Sequence, residues 1–332
     1  MKFISLKIDK RLDIQALRGL AIIYIMAFHI FPDKFTNGFI GVDIFFVLSG
    51  FLITMILDQS KPITAFVVAD FFRKRIQRIF PAYYLLLTIV IIFGGSGHLI
   101  NIDFEILLTD SIWAFIFLSN VHDWIKNNDY FAAVISFFIT IGNFNFLLHT
   151  WSLAVEMQFY LLAPLIMKIR REFTYGNIIV IVISVLSLIL HLEAQASQSF
   201  SFIFSRLWQF FCGTLAFHLS KMNNRIFVSD YYLKAWKALT ILSLIIISPL
   251  SIIIHLNEKL CRILVTGAVT IIIAGKWQDL SEKYLTLLGL DFIGDLSYSL
   301  YLIHWPCIIF IKYIYDISYF DLNGFDFLFF DN

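Results

Sequence analysis

The sequence predicts an all-α fold: a polytopic transmembrane helical bundle of about ten spans. Composition is the first reason. Of 332 residues, 59% are hydrophobic and only 15% are charged, and the mean hydropathy is +0.81. That is more apolar surface than a soluble domain of this length needs to bury. The second reason is recurrence: apolar runs near twenty residues follow one another along most of the chain, the length a helix needs to cross hydrocarbon. The third is the placement of Lys and Arg, which collect in connectors two spans apart.

In chain order, residues 1–12 form a basic arm with Lys2, Lys7, Lys10 and Arg11. No small-residue cleavage site follows the first apolar run, so it reads as a retained signal anchor. Spans are predicted at about 14–32 and 39–57. Lys61-Pro62 marks a helix start. The run Asp70-Phe-Phe-Arg-Lys-Arg-Ile-Gln-Arg-Ile-Phe-Pro81 precedes a span at about 79–95, which the glycines Gly94, Gly95 and Gly97 end. Further apolar runs occupy about 104–118, 130–148, 151–168, 177–192, 200–219, 238–256, 260–275 and 291–312. Polar connectors such as Ser119–Asp129, Glu193–Ser199 and Lys276–Lys283 separate most of them. There is no repeat and no soluble second domain.

The positive-inside rule places the N-terminal arm and Arg73–Arg78 in the cytoplasm. Lys168-Ile-Arg170-Arg171, Lys221 to Lys237 and Lys276 to Lys283 fall on the same side. The two readings meet at residues 96–150, where 104–118 and 130–148 either both cross or both fail to cross; Gly142 and Asn143 would break a re-entrant segment. On either topology His29 and His149-Thr150-Trp151 share the outer level, and Arg73–Arg78 lie at the opposite face.

Several function classes drop out. A net charge of +1 gives no basic field for nucleic acid. Cys212, Cys261 and Cys307 form neither a disulfide framework nor a metal motif, and no metal is expected. No G-x-S-x-G, H-E-x-x-H or Walker loop occurs. His98, His122, His191, His218 and His255 fall near span ends or in connectors and read as solvated.

The first two spans hold Arg18, His29, Asp43 and Ser49. An ionisable group at mid-bilayer depth costs roughly 2.5–3.5 kcal/mol, so a chain that keeps several there is using them. Arg18 and His29 are eleven residues apart, close to three helical turns, so Arg18, Ile22, Ile25 and His29 share one stripe about 16 Å long. Such a stripe should face protein or water. The plainer alternative is an arginine snorkelling to the interface and a histidine capping the outer helix end.

Three later clusters carry chemistry. Arg75 and Arg78 are neighbours on one helix face, flanked by Arg73 and Lys74. Guanidinium forks grip phosphate, which at a cytoplasmic mouth suits coenzyme A; the alternative is a topogenic block against anionic lipid. Ser152, Glu156 and Tyr160, beside His149 and Trp151, recur every four residues as a polar stripe. Glu156 either lines a site or locks helices through an arginine. Ser297, Tyr301 and His304 share a face ahead of Trp305-Pro306, serving either a site or helix packing. Arg206, in an apolar run, needs a buried carboxylate that the sequence does not single out.

Asp-Ile-Gln-Ala-Leu-Arg-Gly-Leu-Ala before His29, and Gly-Val-Asp-Ile-Phe-Phe-Val-Leu-Ser-Gly-Phe-Leu after it, resemble the opening of the membrane acyltransferase 3 family. So do the Arg75-x-x-Arg78-Ile-x-Pro-x-Tyr element, Trp151-Ser-Leu-x-x-Glu-x-Gln-Phe-Tyr160, and the block around Ser297, Tyr301 and His304. The resemblance runs from about residue 12 to 312, placing the membrane domain at 13–315 and a short tail at 316–332.

That resemblance implies a membrane O-acyltransferase that moves an acyl group, commonly acetyl, from acyl-CoA to a hydroxyl of a sugar, lipid or other acceptor. Arg73, Lys74, Arg75 and Arg78 would hold the CoA phosphates. His29 would be the general base, since imidazole titrates near operating pH. Asp43 would orient His29, and Arg18 would polarise the donor or line its path. Trp151, Ser152, Glu156, Tyr301 and His304 come over as motif positions. Expected partners are membrane lipid, acyl-CoA and a hydroxyl-bearing acceptor such as a carbohydrate. Relative to the family the chain ends early, in a tail with Asp321, Asp326 and Asp331, and reads as a truncated member or one that works with a partner. The Ala132–Phe146 run is also longer than the family pattern suggests. The rival classes are a proton-coupled transporter, whose relays use the same residue types, and a non-catalytic membrane scaffold.

Overall fold

The computed structural model describes residues 11–59, 62–128, 144–194, 200–226, 230–254, 256–275 and 289–315. The N-terminal arm up to residue 10, most of the 130–148 run, the connector 276–283 and the tail 316–332 lie outside them. Among the described residues every regular element is helical. The first three helices are α1 (Leu12–Ile30), α2 (Ile40–Gln59) and α3 (Ala65–Phe93); α4 (Asn101–Phe115), α5 (Ser119–Asn128) and α6 (Thr150–Glu172) follow. The last five are α7 (Gly176–Glu193), α8 (Leu207–Ile226), α9 (Asp230–Ile246), α10 (Glu258–Ala274) and α11 (Leu290–Tyr315).

Among the described residues five helices, α1, α2, α3 with its π-helical end, α6 and α7, are long and apolar enough to cross a membrane. That is fewer than the ten or so expected, and the reasons are local. Helices α4, α9 and α10 are 15, 17 and 17 residues long. The run at 238–256 is cut at Pro249, which lacks an N–H for the ladder; α9 stops at Ile246 and only a one-turn helix, Leu250–Ile253, follows. The run at 200–219 is broken by a 3₁₀ turn, Ile203–Ser205, that leaves Arg206 at the junction.

Two further differences concern α3 and α5. The span expected at 79–95 is the second half of a longer helix: α3 starts at Ala65, capped by Thr64 accepting from the Val67 N–H at 3.4 Å, and carries Arg73–Arg78 and Pro81 within it. The supposed connector after Ser119 is itself the polar helix α5.

The outer surface is apolar. Leu85, Ile89 and Ile92 of α3 and Ile178, Ile181, Val185 and Leu186 of α7 are all exposed. Such patches would be a liability in water and are natural against lipid.

Glycine sets the closest helix crossings. A Cβ on Gly19 of α1 would lie 2.0 Å from the Leu290 carbonyl oxygen, and one on Gly294 of α11 would lie 1.8 Å from that of Gln15. Gly50 of α2 and Gly213 of α8 stand 2.0 Å from the Phe210 and Val47 oxygens in the same sense. Small residues let backbones meet where no hydrophobic drive exists between helices. These two crossings bring α1, α2, α8 and α11 around the site.

Candidate active site

Two cavities lie end to end inside the bundle. The first, of about 90 Å³, is lined by Arg18, Arg75, Arg78, Ser49, Glu156 and Tyr160 among others. The second, of about 220 Å³, is lined by His29, His149, Trp151, Trp305, Arg262 and several phenylalanines. Val42 and Tyr301 are walls of both.

The first cavity is cationic. Arg18, Arg75 and Arg78 make no hydrogen bond or ion pair among the described residues; Arg75 rests over the rings of Tyr160 and Phe71, at 5.3 and 5.6 Å. Free guanidinium donors converging on one space suit phosphate oxygens. The acid opposite them, Glu156, accepts from the Ser49 hydroxyl and from the Tyr160 hydroxyl, the latter at 2.5 Å. Glu156 forms no ion pair among the described residues, so the helix-locking Glu–Arg pair is not what holds it. The i, i+4 stripe of α6 is thus turned inward, with Ser152 bonded to the Tyr301 hydroxyl.

Arg73 and Lys74 are elsewhere. Both lie on the exposed face of α3 and pair with Asp70 at 2.7 Å each, and neither lines the cavity.

The second cavity is aromatic with imidazoles at its wall. Ile22 and Ile25, between Arg18 and His29 on the α1 stripe, are buried, so that stripe faces protein. The His29 ring lies 4.6 Å from that of Trp305 and 5.4 Å from that of His304. No hydrogen bond occupies His29 among the described residues. His304 turns Nδ1 toward the Tyr301 carbonyl oxygen at 2.7 Å, so Nδ1 carries the proton and Nε2 is the bare nitrogen. His149 packs 5.8 Å from His304, with the Leu302 backbone nearby.

Asp43 does not hold His29. Its carboxylate, fully buried, accepts from Arg206 Nη1 at 3.0 Å, from Arg262 Nη1 at 3.0 Å on both oxygens, and from Gln209 Nε2 at 2.7 Å. The unknown counter-ion of Arg206 is therefore Asp43. Arg262 and Gln209 escaped the sequence reading. Arg262 left a signal, a guanidinium just inside an apolar run; Gln209 left none.

The histidines set aside as solvated divide. His122 is buried against Asp110 at 3.3 Å and stacks on Trp113, and His191 is buried beside Trp208.

A family model described as an acyltransferase domain, Acyl_transf_3, matches residues 11–330. The chain belongs to the acyltransferase 3 family. The acyltransferase is 29% identical over 329 residues to the putative membrane-bound transacylase BcsY of Komagataeibacter xylinus, covering 95% of this chain and 77% of that protein. It is 30% identical over 321 residues to the O-acetyltransferase OatA of Staphylococcus aureus, covering 91% of this chain and 51% of OatA. A 156-residue stretch, 46% of the chain, is 37% identical to the peptidoglycan O-acetyltransferase OatA of Listeria monocytogenes and covers 23% of it. The acyltransferase therefore spans about half the length of the staphylococcal relative. No solved structure matches it. Family membership and the apolar outer helices make it a membrane acyltransferase.

Proposed function

We propose that this protein crosses the membrane several times, N-terminus in the cytoplasm, and moves an acetyl group from acetyl-CoA to a hydroxyl on an acceptor at the outer side. The helices too short or too polar to count alone would complete the set of about ten. What carries the reading is the pair of cavities sharing Val42 and Tyr301: among the described residues, three guanidiniums without a paired acid face one, and a histidine with no hydrogen bond faces the other.

In this scheme Arg18, Arg75 and Arg78 hold the CoA phosphates, and the pantetheine arm carries the thioester toward Tyr301. Arg73 and Lys74, on the exposed face, add only charge at the mouth. His29 takes the proton from the acceptor hydroxyl as its oxygen attacks the thioester carbonyl carbon. The carbon–sulfur bond breaks, and CoA leaves as a thiolate that takes up a proton. Membrane lipid surrounds the bundle. The printed names of the relatives favour acetyl as the group and a glycan as the acceptor.

The test is protein reconstituted in lipid with acetyl-CoA labelled in the acetyl group and a panel of carbohydrates. Label should enter a hydroxyl ester in the wild type and fall by at least about a hundredfold in His29→Ala. Undiminished label in the variant clears His29. Movement of a solute without consumption of acetyl-CoA makes the protein a transporter.

A further inference from the structure

The Asp43 cluster is unbalanced. Two arginines, Arg206 and Arg262, share one buried carboxylate. Glu258, one turn before Arg262, is exposed and touches neither guanidinium among the described residues, acting on Arg206 only through its field. Within the buried cluster two guanidiniums therefore contact a single carboxylate, with Glu258 adding only a more distant field. A buried charge in excess of its partners is costly, so an anion that reached the cluster would be held there.

The surplus has a direction. Arg206 is wholly buried, with Nε on the Phe200 carbonyl oxygen at 2.8 Å; its Nη2 has no partner among the described residues, but Arg206 lines neither cavity. Arg262 spends only Nη1 on Asp43; its Nε and Nη2 make no hydrogen bond among the described residues. Its guanidinium lies 4.3 Å from the centre of the Phe39 ring, and it lines the cavity of His29. Arg262 is 4% exposed, so it is a built wall of the site and no surface charge. The neighbouring walls are Trp151, Trp305, Phe200, Phe39 and Phe28. Flat apolar rings with one fixed polar fork suit the C–H face of a sugar ring beside an anionic substituent.

We infer that Arg262, held by Asp43, recognises an anionic oxygen group, a carboxylate or phosphate, carried by the acceptor sugar whose hydroxyl meets His29. This rests on the acyl-transfer reading for the identity of the cavity, but not on transfer for its test. Arg262 is a specificity residue in this account, Asp43 and Gln209 its positioning residues.

Tryptophan fluorescence of the reconstituted full chain reads acceptor binding directly, because Trp151 and Trp305 line the cavity. The probes are methyl glucoside, methyl glucuronide and glucose 6-phosphate. Wild type should bind at least one anionic probe about tenfold or more tighter than the neutral one, the scale of one charge-assisted hydrogen bond. Which anion wins separates carboxylate from phosphate. Arg262→Gln should abolish the difference and leave neutral binding within about twofold, and Arg262→Lys, which keeps charge but loses the fork, should retain part of it. Equal binding of all three probes by the wild type overturns the inference, and so does a Gln variant that weakens all probes alike. If the Gln variant does not fold, the wild-type series and the Lys variant decide. Transfer to neutral and anionic sugars at equal KM, with kcat lost in Arg262→Gln for every acceptor, would assign Arg262 to the developing oxyanion instead. Charge-selective binding without any labelled product would keep this inference and remove the acyl-transfer reading.

Discussion

The hydroxyl of Tyr301 on α11 donates to the backbone carbonyl of His149 at 2.9 Å. Having one proton, it must then accept from Ser152, its other partner. The bond ties α11 to the start of α6 at the wall between the two cavities. Tyr301→Phe leaves the buried His149 carbonyl and Ser152 hydroxyl only their long mutual contact of 3.3 Å. It should lower stability by about 1–3 kcal/mol, seen as an earlier melting midpoint in detergent. Transfer should slow by about tenfold while the KM for acetyl-CoA stays unchanged; a variant that melts and turns over like the wild type would show the wall to be incidental.

The arginines of α3 should divide by position. Arg75→Ala or Arg78→Ala should raise the KM for acetyl-CoA by about ten- to a hundredfold, the loss of a charge-assisted contact. Arg73→Ala and Lys74→Ala, on side chains already turned to Asp70, should change it by less than about threefold. Saturation curves in the labelled-acetyl assay measure both. Equal effects at all four positions would mean the cluster acts as diffuse charge.

Asp43→Asn removes the acid from beneath two guanidiniums. Breaking a buried pair this way costs about 3–5 kcal/mol, so the variant should express poorly or melt far earlier. Adding Arg262→Gln to it should restore part of the loss, because the pair is coupled. Melting midpoints of the two single variants and the double one complete the cycle; strict additivity would deny the coupling.

Gly294→Ala drives a methyl into the Gln15 carbonyl, where a Cβ would sit 1.8 Å away. It should abolish folded protein or force α1 and α11 apart. Gly267→Ala meets nothing within 4 Å and should be neutral or stabilising by about 0.5–1 kcal/mol. Monodispersity on size exclusion distinguishes the two.

Much of this was legible in the residues. The eleven-residue interval between Arg18 and His29 gave a buried stripe because helical geometry is fixed by the backbone alone. The period of four in Ser152, Glu156 and Tyr160 foretold an inward polar face for the same reason. What lay hidden were partnerships between distant helices. The family resemblance pairs Asp43 with His29 as a carboxylate that orients an imidazole, yet the partners of Asp43 sit 163 and 219 residues further on. Arg73 and Arg75 look alike in a basic run, and only the rotation of α3 separates the side chain on the exposed face from the one over Tyr160. That the helix runs unbroken from the basic run into the span, through Pro81, shows only in the fold, since the charge change marks the membrane edge and not a helix end.

The septum at Val42 and Tyr301 has a consequence for the cell's ionic balance. For a protein working as proposed, the two cavities have Val42 and Tyr301 as common walls. In that scheme only the thioester need reach past these two side chains, and transfer requires no open water channel through the bundle. Acetyl groups could then be exported with the membrane potential left intact.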